Sequence, residues 1–119
     1  MKVQLRTVDK VSIIDCQGDV DLYSSTDLRE NLLGQMKSGT PNVLVNMTGV
    51  TYIDSSGIAT LVEGLQLSRE TKTHFGLFGL RANARSVLEL ARLHKVFAIF
   101  DNELDALAKI ATTQPFGGL

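Results

Sequence analysis

The sequence predicts an α/β domain: a mixed, mostly parallel β-sheet opened by an N-terminal hairpin, with about four α-helices packed mainly on one side. Three observations carry this. Two strand-like runs near the N-terminus are separated only by Asp9-Lys10, which is the spacing of a β-hairpin. After that pair, helical and strand patterns alternate to the end of the chain, which implies right-handed crossovers and parallel neighbours. The chain has 119 residues, of which 44% are hydrophobic, enough for one real core and too apolar for a disordered chain.

The elements follow in order. Residues 3–8 alternate Val3, Leu5 and Thr7 against Gln4 and Arg6, a strand with two unlike faces. Residues 11–17 are apolar and β-branched, the second hairpin strand. Gly18-Asp19-Val20-Asp21 ends it. Ser24, Ser25 or Thr26 can cap the helix that follows, Asp27 and Glu30 suit its first turn, and Leu28, Leu32, Leu33 and Met36 form its apolar stripe. Ser38-Gly39-Thr40-Pro41 stops it. Residues 42–47 read as a strand buried on both faces. Ile58, Leu61, Val62 and Leu65 recur at i, i+3, i+4 and i+7, one face of a helix reaching about Thr71. A strand is expected over 73–80, a helix over 82–93 with Val87, Leu88, Ala91 and Ala84 inward, and a strand over 96–100. Asn102 caps a last helix with Leu104, Leu107, Ala108 and Ala111 on one face. The domain is expected to span residues 1–112, with 113–119, which include Phe116, Gly117, Gly118 and Leu119, as a flexible tail.

Composition narrows the function classes. Lys and Arg total 12 against 13 Asp and Glu, a formal charge of −1, so neither nucleic acid nor an anionic membrane is indicated as partner. No apolar stretch approaches the roughly 20 residues of a membrane span, and the N-terminus lacks the apolar core of a signal peptide. The single cysteine, Cys16, lies in an apolar run and reads as a buried small hydrophobe. One cysteine excludes an intrachain disulfide framework and fits a reducing, cytoplasmic compartment.

Catalytic signatures are missing. There is no phosphate-cradling glycine loop, no G-x-S-x-G elbow and no metal-ligand spacing. The only histidines are His74, at a strand start, and His94, at a helix end. Asp19, Asp21 and Asp54 could gather, and three acids with a hydroxyl could take Mg²⁺; turn and cap roles account for them more simply. No enzyme activity, cofactor or metal is expected. A hydrolase using Ser55 or Ser56 would need a base within about 3 Å, and neither histidine is evidently placed for it.

The informative stretch is Asp54-Ser55-Ser56-Gly57, at the passage from a strand to an amphipathic helix. First-turn N–H groups lack intrahelical partners and the helix dipole favours negative charge there. A hydroxyl in that place can cap the helix or carry a phosphate. One serine is expected to cap and the other to be exposed. Spacing does not decide which.

This motif, together with Gly18-Asp19-Val20-Asp21 after the second strand, residues 43–50 before the motif, Leu88-Glu89-Leu90-Ala91-Arg92-Leu93 before the last strand and residues 101–108 at the end, resembles the anti-sigma factor antagonists, the stand-alone bacterial STAS domains. The resemblance covers nearly the whole chain. It implies a protein that binds an anti-sigma factor, a serine kinase carrying ATP, and so releases a sigma factor. Phosphorylation of the serine before the glycine ends the association and a serine phosphatase restores it. Carried to this chain, the acceptor is Ser56, which the family pattern makes the exposed serine, with Ser55 the alternative. Asp54, Ser55 and Gly57 then belong to the docking surface, and Asp21 lies beside the acceptor. Asp19, Tyr23 and the outward residues Thr60, Glu63 and Gly64 of the following helix are further candidates. Glu63 and Gln66 read equally as a solvated face. A monomer or weak dimer is expected. The chain also resembles STAS subunits of lipid-transport ABC systems, which often depart from the Asp-Ser-Ser-Gly pattern, and the alternative function is a scaffold in such a system or in a larger signalling complex, without phosphorylation.

Overall fold

The computed structural model describes residues 2–112. The hairpin pairs β1 (Lys2–Val8) with β2 (Val11–Gln17) antiparallel, from Lys2 opposite Gln17 to Val8 opposite Val11. Asp9 and Lys10 make its two-residue turn with φ of 49° and 65°. Both central residues of this turn geometry are left-handed, which glycine adopts and side-chain-bearing residues resist. Lys10→Gly is therefore expected to raise unfolding stability by about 0.5–1 kcal/mol, read by urea denaturation. An unchanged midpoint would show that the turn is relaxed as it stands.

The remaining elements are α1 (Ser25–Lys37), β3 (Asn42–Gly49), α2 (Ser55–Thr71), β4 (His74–Phe78), α3 (Ala82–Leu90), β5 (Ala98–Phe100) and α4 (Glu103–Lys109), followed by a 3₁₀ turn at Ile110–Thr112. Sheet order is β1-β2-β3-β4-β5, and β2 to β5 run parallel. The fold is the expected one: five strands, an N-terminal hairpin and four helices.

Strand periodicity sorts the core into two layers. Val43, Val45 and Met47 of β3 join Ile14, Phe75 and Leu77 under Leu28, Leu32 and Met36 of α1, Leu61 and Leu65 of α2, and Ala84 and Leu88 of α3. Leu44, between them in sequence, joins Ile13, Phe78 and Phe100 on the other face, covered by Ala106 and Ile110. Three helices lie on one face and α4 on the other. Where α4 does not reach, the second face is polar. Arg6 donates to Asp15 Oδ2 (2.5 Å) and to Glu103 Oε1 (2.5 Å), tying the hairpin to α4. Partial burial opposes ionisation of Asp15, yet hydrogen bonds from Arg6 and Asn46 hold its carboxyl below the usual range. On the helix-covered face Cys16 is buried, and burial pushes its thiol up to about 12, with the Asp15 charge adding to it.

Several boundaries differ from the sequence reading. The expected strand over 73–80 is only His74–Phe78. α3 ends at Leu90 because Arg92 turns left-handed (φ 58°) and Leu93 N–H donates back to Leu88 O (2.8 Å), a helix-ending bond pattern. Ala91 is exposed rather than inward. Phe97 belongs to the turn before β5, set edge-on to Phe75 with centroids 6.1 Å apart. In α4 the buried position is Ala106, with Ile110 in the turn that follows, while Leu104 is 82% exposed and Ala108 and Ala111 also face solvent. The expected tail over 113–119 lies outside the described residues. No helix among the described residues is long and apolar enough to cross a membrane.

Candidate phosphoacceptor site

β2 and β3 continue side by side past their ends. Gly18 N–H donates to Gly49 O (2.9 Å), Val20 N–H to Tyr52 O (2.8 Å) and Asp54 N–H to Val20 O (3.0 Å), with a parallel bridge between Val20 and Ile53. These bonds draw the 18–24 loop against the entry to α2. From the far side, Asn83 in the first turn of α3 accepts from Ile53 N–H through Oδ1 (3.0 Å). Val20 and Ile53 are buried, so the strand exit is anchored in the core.

Asp54 is the hub. It caps α2: its Oδ1 accepts from Ser56 N–H (2.9 Å), Gly57 N–H (3.2 Å) and the Ser56 hydroxyl (2.6 Å). The backbone N–H of Leu22, in the neighbouring loop, also favours its ionised form. The Ser56 hydroxyl foremost, with these N–H groups, holds the Asp54 carboxyl below its ordinary value. The expectation that one serine hydroxyl caps the helix is thus corrected, since a carboxylate accepts from first-turn amides as an anion and outcompetes a neutral hydroxyl. The resemblance made Ser56 the exposed serine, and this too is corrected: Ser55 is the exposed one, while Ser56, drawn onto Asp54 by its hydroxyl, is half-buried.

Asp21 performs the same service for the neighbouring loop. Its Oδ1 accepts from Tyr23 N–H, Ser24 N–H and the Ser24 hydroxyl, all at 3.0 Å. The hydrogen bonds of Ser24 hold its carboxyl low, and the Asp54 charge pushes the other way, so the two acids lie within electrostatic reach. Asp19 accepts from the Thr51 hydroxyl at 3.0 Å. Each acid serves its own donors, and among the described residues no group of three His, Cys, Asp or Glu side chains is arranged to hold a metal ion. Asp19, Asp21, Tyr23, Ser24 and Asp27 line an open hollow of about 420 Å³.

The structure corrects three positions expected on the docking surface. Gly57 is buried, and a Cβ there would meet Ile53 Cγ1 at 2.5 Å and Val20 Cγ1 at 2.8 Å. Thr60 is only 4% exposed, its hydroxyl donating to Ser56 O (3.1 Å). Gly64 is buried against Leu32, whose Cδ2 would lie 2.5 Å from an added Cβ. The buried face of α2 runs through Gly57, Thr60, Leu61, Gly64, Leu65 and Ser68, so small residues carry four of its six positions. An apolar count misses them. Glu63 is half-buried and paired with Arg29 of α1 (2.9 Å).

Sequence reasoning missed Leu22 and Tyr52, which flank the serines and are 69% and 46% exposed, beside Tyr23 at 89%. Large apolar side chains in turns bounded by acids were the available signal. It missed Asn83 as well, a polar residue in a helix first turn.

The sequence profile of the STAS domain matches residues 2–106. An anti-sigma-B factor antagonist of Staphylococcus aureus is 25% identical over 93 residues, covering 78% of this chain and 86% of that one. The fold is shared with an anti-sigma factor antagonist from Mycobacterium paratuberculosis (TM-score 0.82, 19% identity, 92% of this chain and 93% of that one). It is shared too with the Bacillus cell fate determinant SpoIIAA, solved in its phosphorylated form (TM-score 0.74, 18% identity, 92% and 99% covered). A profile that runs from β1 into α4, over a sheet and strand-to-helix junction of this form, settles the family: the chain belongs to the STAS domain family.

Proposed function

We propose that this protein is an anti-sigma factor antagonist working in the cytoplasm as a binding module without catalytic activity of its own. Through the surface around Ser55 and Ser56 it engages an anti-sigma factor, a serine kinase carrying ATP, and so frees a sigma factor. Phosphate on Ser56 ends the association, and a serine phosphatase restores it. The observation that carries this is the Ser56 hydroxyl, held 2.6 Å from Asp54 Oδ1 in the first turn of α2. A carboxylate at that distance orients the hydroxyl and can take its proton, and a phosphoryl acceptor needs both. Ser55, one residue away, is exposed but makes no side-chain hydrogen bond among the described residues. The rim supports the same reading. Leu22, Tyr23 and Tyr52 offer apolar and aromatic anchors around a polar centre, the composition of a protein-docking surface.

The test is intact mass with phosphosite mapping on protein isolated from its native cells, in growth and under stress. The expected result is a phosphate on Ser56 whose occupancy changes with condition. Absence of phosphate in every condition, or phosphate confined to Ser55, overturns the assignment.

A further inference from the structure

We propose that the chain associates head to tail with a second copy of itself, the outer face of α3 seating on the serine-bearing end of the next molecule. The two surfaces carry opposite charge. Residues 81–95 hold Arg81, Arg85, Arg92 and Lys95 against a single acid, Glu89, in a chain whose formal charge is −1. All five are exposed, and none is in an ion pair or side-chain hydrogen bond among the described residues. Arg81, Arg85 and Glu89 fall four apart along one flank of the helix. Arg92 occupies a left-handed position (φ 58°) at the helix end, where glycine is the usual occupant and a side chain is disfavoured. Leu90, 86% exposed, stands on the same open arc.

The other surface is its complement. Residues 18–28 contain three acids, Asp19, Asp21 and Asp27, and residues 49–62 contain Asp54, and neither stretch contains Lys or Arg. Asp19, Asp21 and Asp27 line the hollow beside Tyr23. A guanidinium matches that lining twice over, by its fork of donors to carboxylates and by stacking on the phenol ring. Leu90 of one copy then has Leu22 and Tyr23 of the next to pack against. A polyanion such as nucleic acid or an anionic membrane fits α3 less well, because Glu89 interrupts the stripe and the molecule as a whole is negative. The two surfaces lie on different elements, so the contact is heterologous and extends to chains instead of closing as a symmetric pair. Where the proposed function holds, the copy that seats α3 covers its neighbour's serine site, and added negative charge at Ser56 tightens the contact.

Sedimentation velocity on the purified protein tests this without any anti-sigma factor, so it stands or falls separately from the proposed function. At about 50 mM salt the weight-average mass rises with concentration, and at about 0.5 M, where exposed charges are screened within a few ångströms, the protein is monomeric. Arg85→Glu with Arg92→Glu, and separately Asp19→Lys with Asp27→Lys, each weaken association at least about tenfold, and mixing the two variants restores a complex. Circular dichroism confirms that each variant is folded, and Lys95→Glu with Asp27→Asn serves as the milder pair. A monomer at every concentration in low salt, association indifferent to salt, a mass that plateaus at dimer, or no complex on mixing overturns the proposal.

Discussion

Ser56→Glu is expected to weaken binding of the proposed anti-sigma partner at least about a hundredfold while the melting temperature shifts by no more than about 3 °C. The fold tolerates the change because the cap does not depend on the hydroxyl. Asp54 keeps the Ser56 and Gly57 backbone amides when the hydroxyl is lost. A carboxylate in the first turn is favoured by the helix dipole, at about 0.3–1 kcal/mol, and the nearby Asp54 charge opposes it. Those first-turn amides are already occupied by Asp54, so a phosphate or glutamate at position 56 turns outward to solvent. That outward charge is what a partner packed over the site would have to bury. An unpaired buried charge costs several kcal/mol, and about 2.8 kcal/mol suffices for a hundredfold. Titration calorimetry against the anti-sigma factor of the proposed function, with thermal melts of each variant, reads both quantities. Ser55→Glu is the comparison: equal loss from both variants would leave a charge-sensitive surface with no designated acceptor. A large drop in melting temperature with unchanged affinity would sink the switch altogether.

The fold was legible because its signals are long and redundant. The helical period of α1 and the continuous apolar runs of β2 and β3 survive any local ambiguity, and alternation after the hairpin leaves little freedom in topology. Boundaries were legible only where a residue's conformation is written in its type. Nothing in the identity of Arg92 announces a left-handed helix end, and so α3 was read three residues too long. The α4 stripe failed for another reason. The helix has seven residues, and the sheet face it meets chose Ala106 over Leu104. At the site, the motif identified the junction, but not the division of labour within it. That Asp54 caps α2 with the 18–24 loop drawn beside it depends on the pairing of residues 18–20 with 49–54, a contact between segments about 30 residues apart. Thr60 and Gly64 read as outward because small residues carry no hydrophobic signal, whereas close helix packing selects for them, and Gly57 was placed on the docking surface by the resemblance alone.

Gly57 carries the second large effect. Gly57→Ala is expected to destabilise the protein by about 1–3 kcal/mol and to reduce partner affinity although Ser56 remains. A β-carbon at 57 would sit 2.5 Å from Ile53 Cγ1 and 2.8 Å from Val20 Cγ1, closer than real contacts allow. Neither neighbour can yield freely. Both are buried, and their backbones are pinned: Ile53 N–H to Asn83, and Val20 by the ladder that joins the two loops. The strain is therefore expected to move the first turn of α2 instead, taking with it the amides that Asp54 caps and the hydroxyl it orients. Gly34→Ala makes the control, because a β-carbon at that exposed position of α1 meets nothing within 4 Å. There the same substitution removes only backbone freedom in a helix interior, and stability should rise by about 0.5–1 kcal/mol. Urea denaturation of the two variants should give shifts of opposite sign, with affinity lost only in Gly57→Ala. Should Gly57→Ala prove neutral, the first turn of α2 is not held flush on Val20 and Ile53, and the serine owes its position to the Asp54 cap alone.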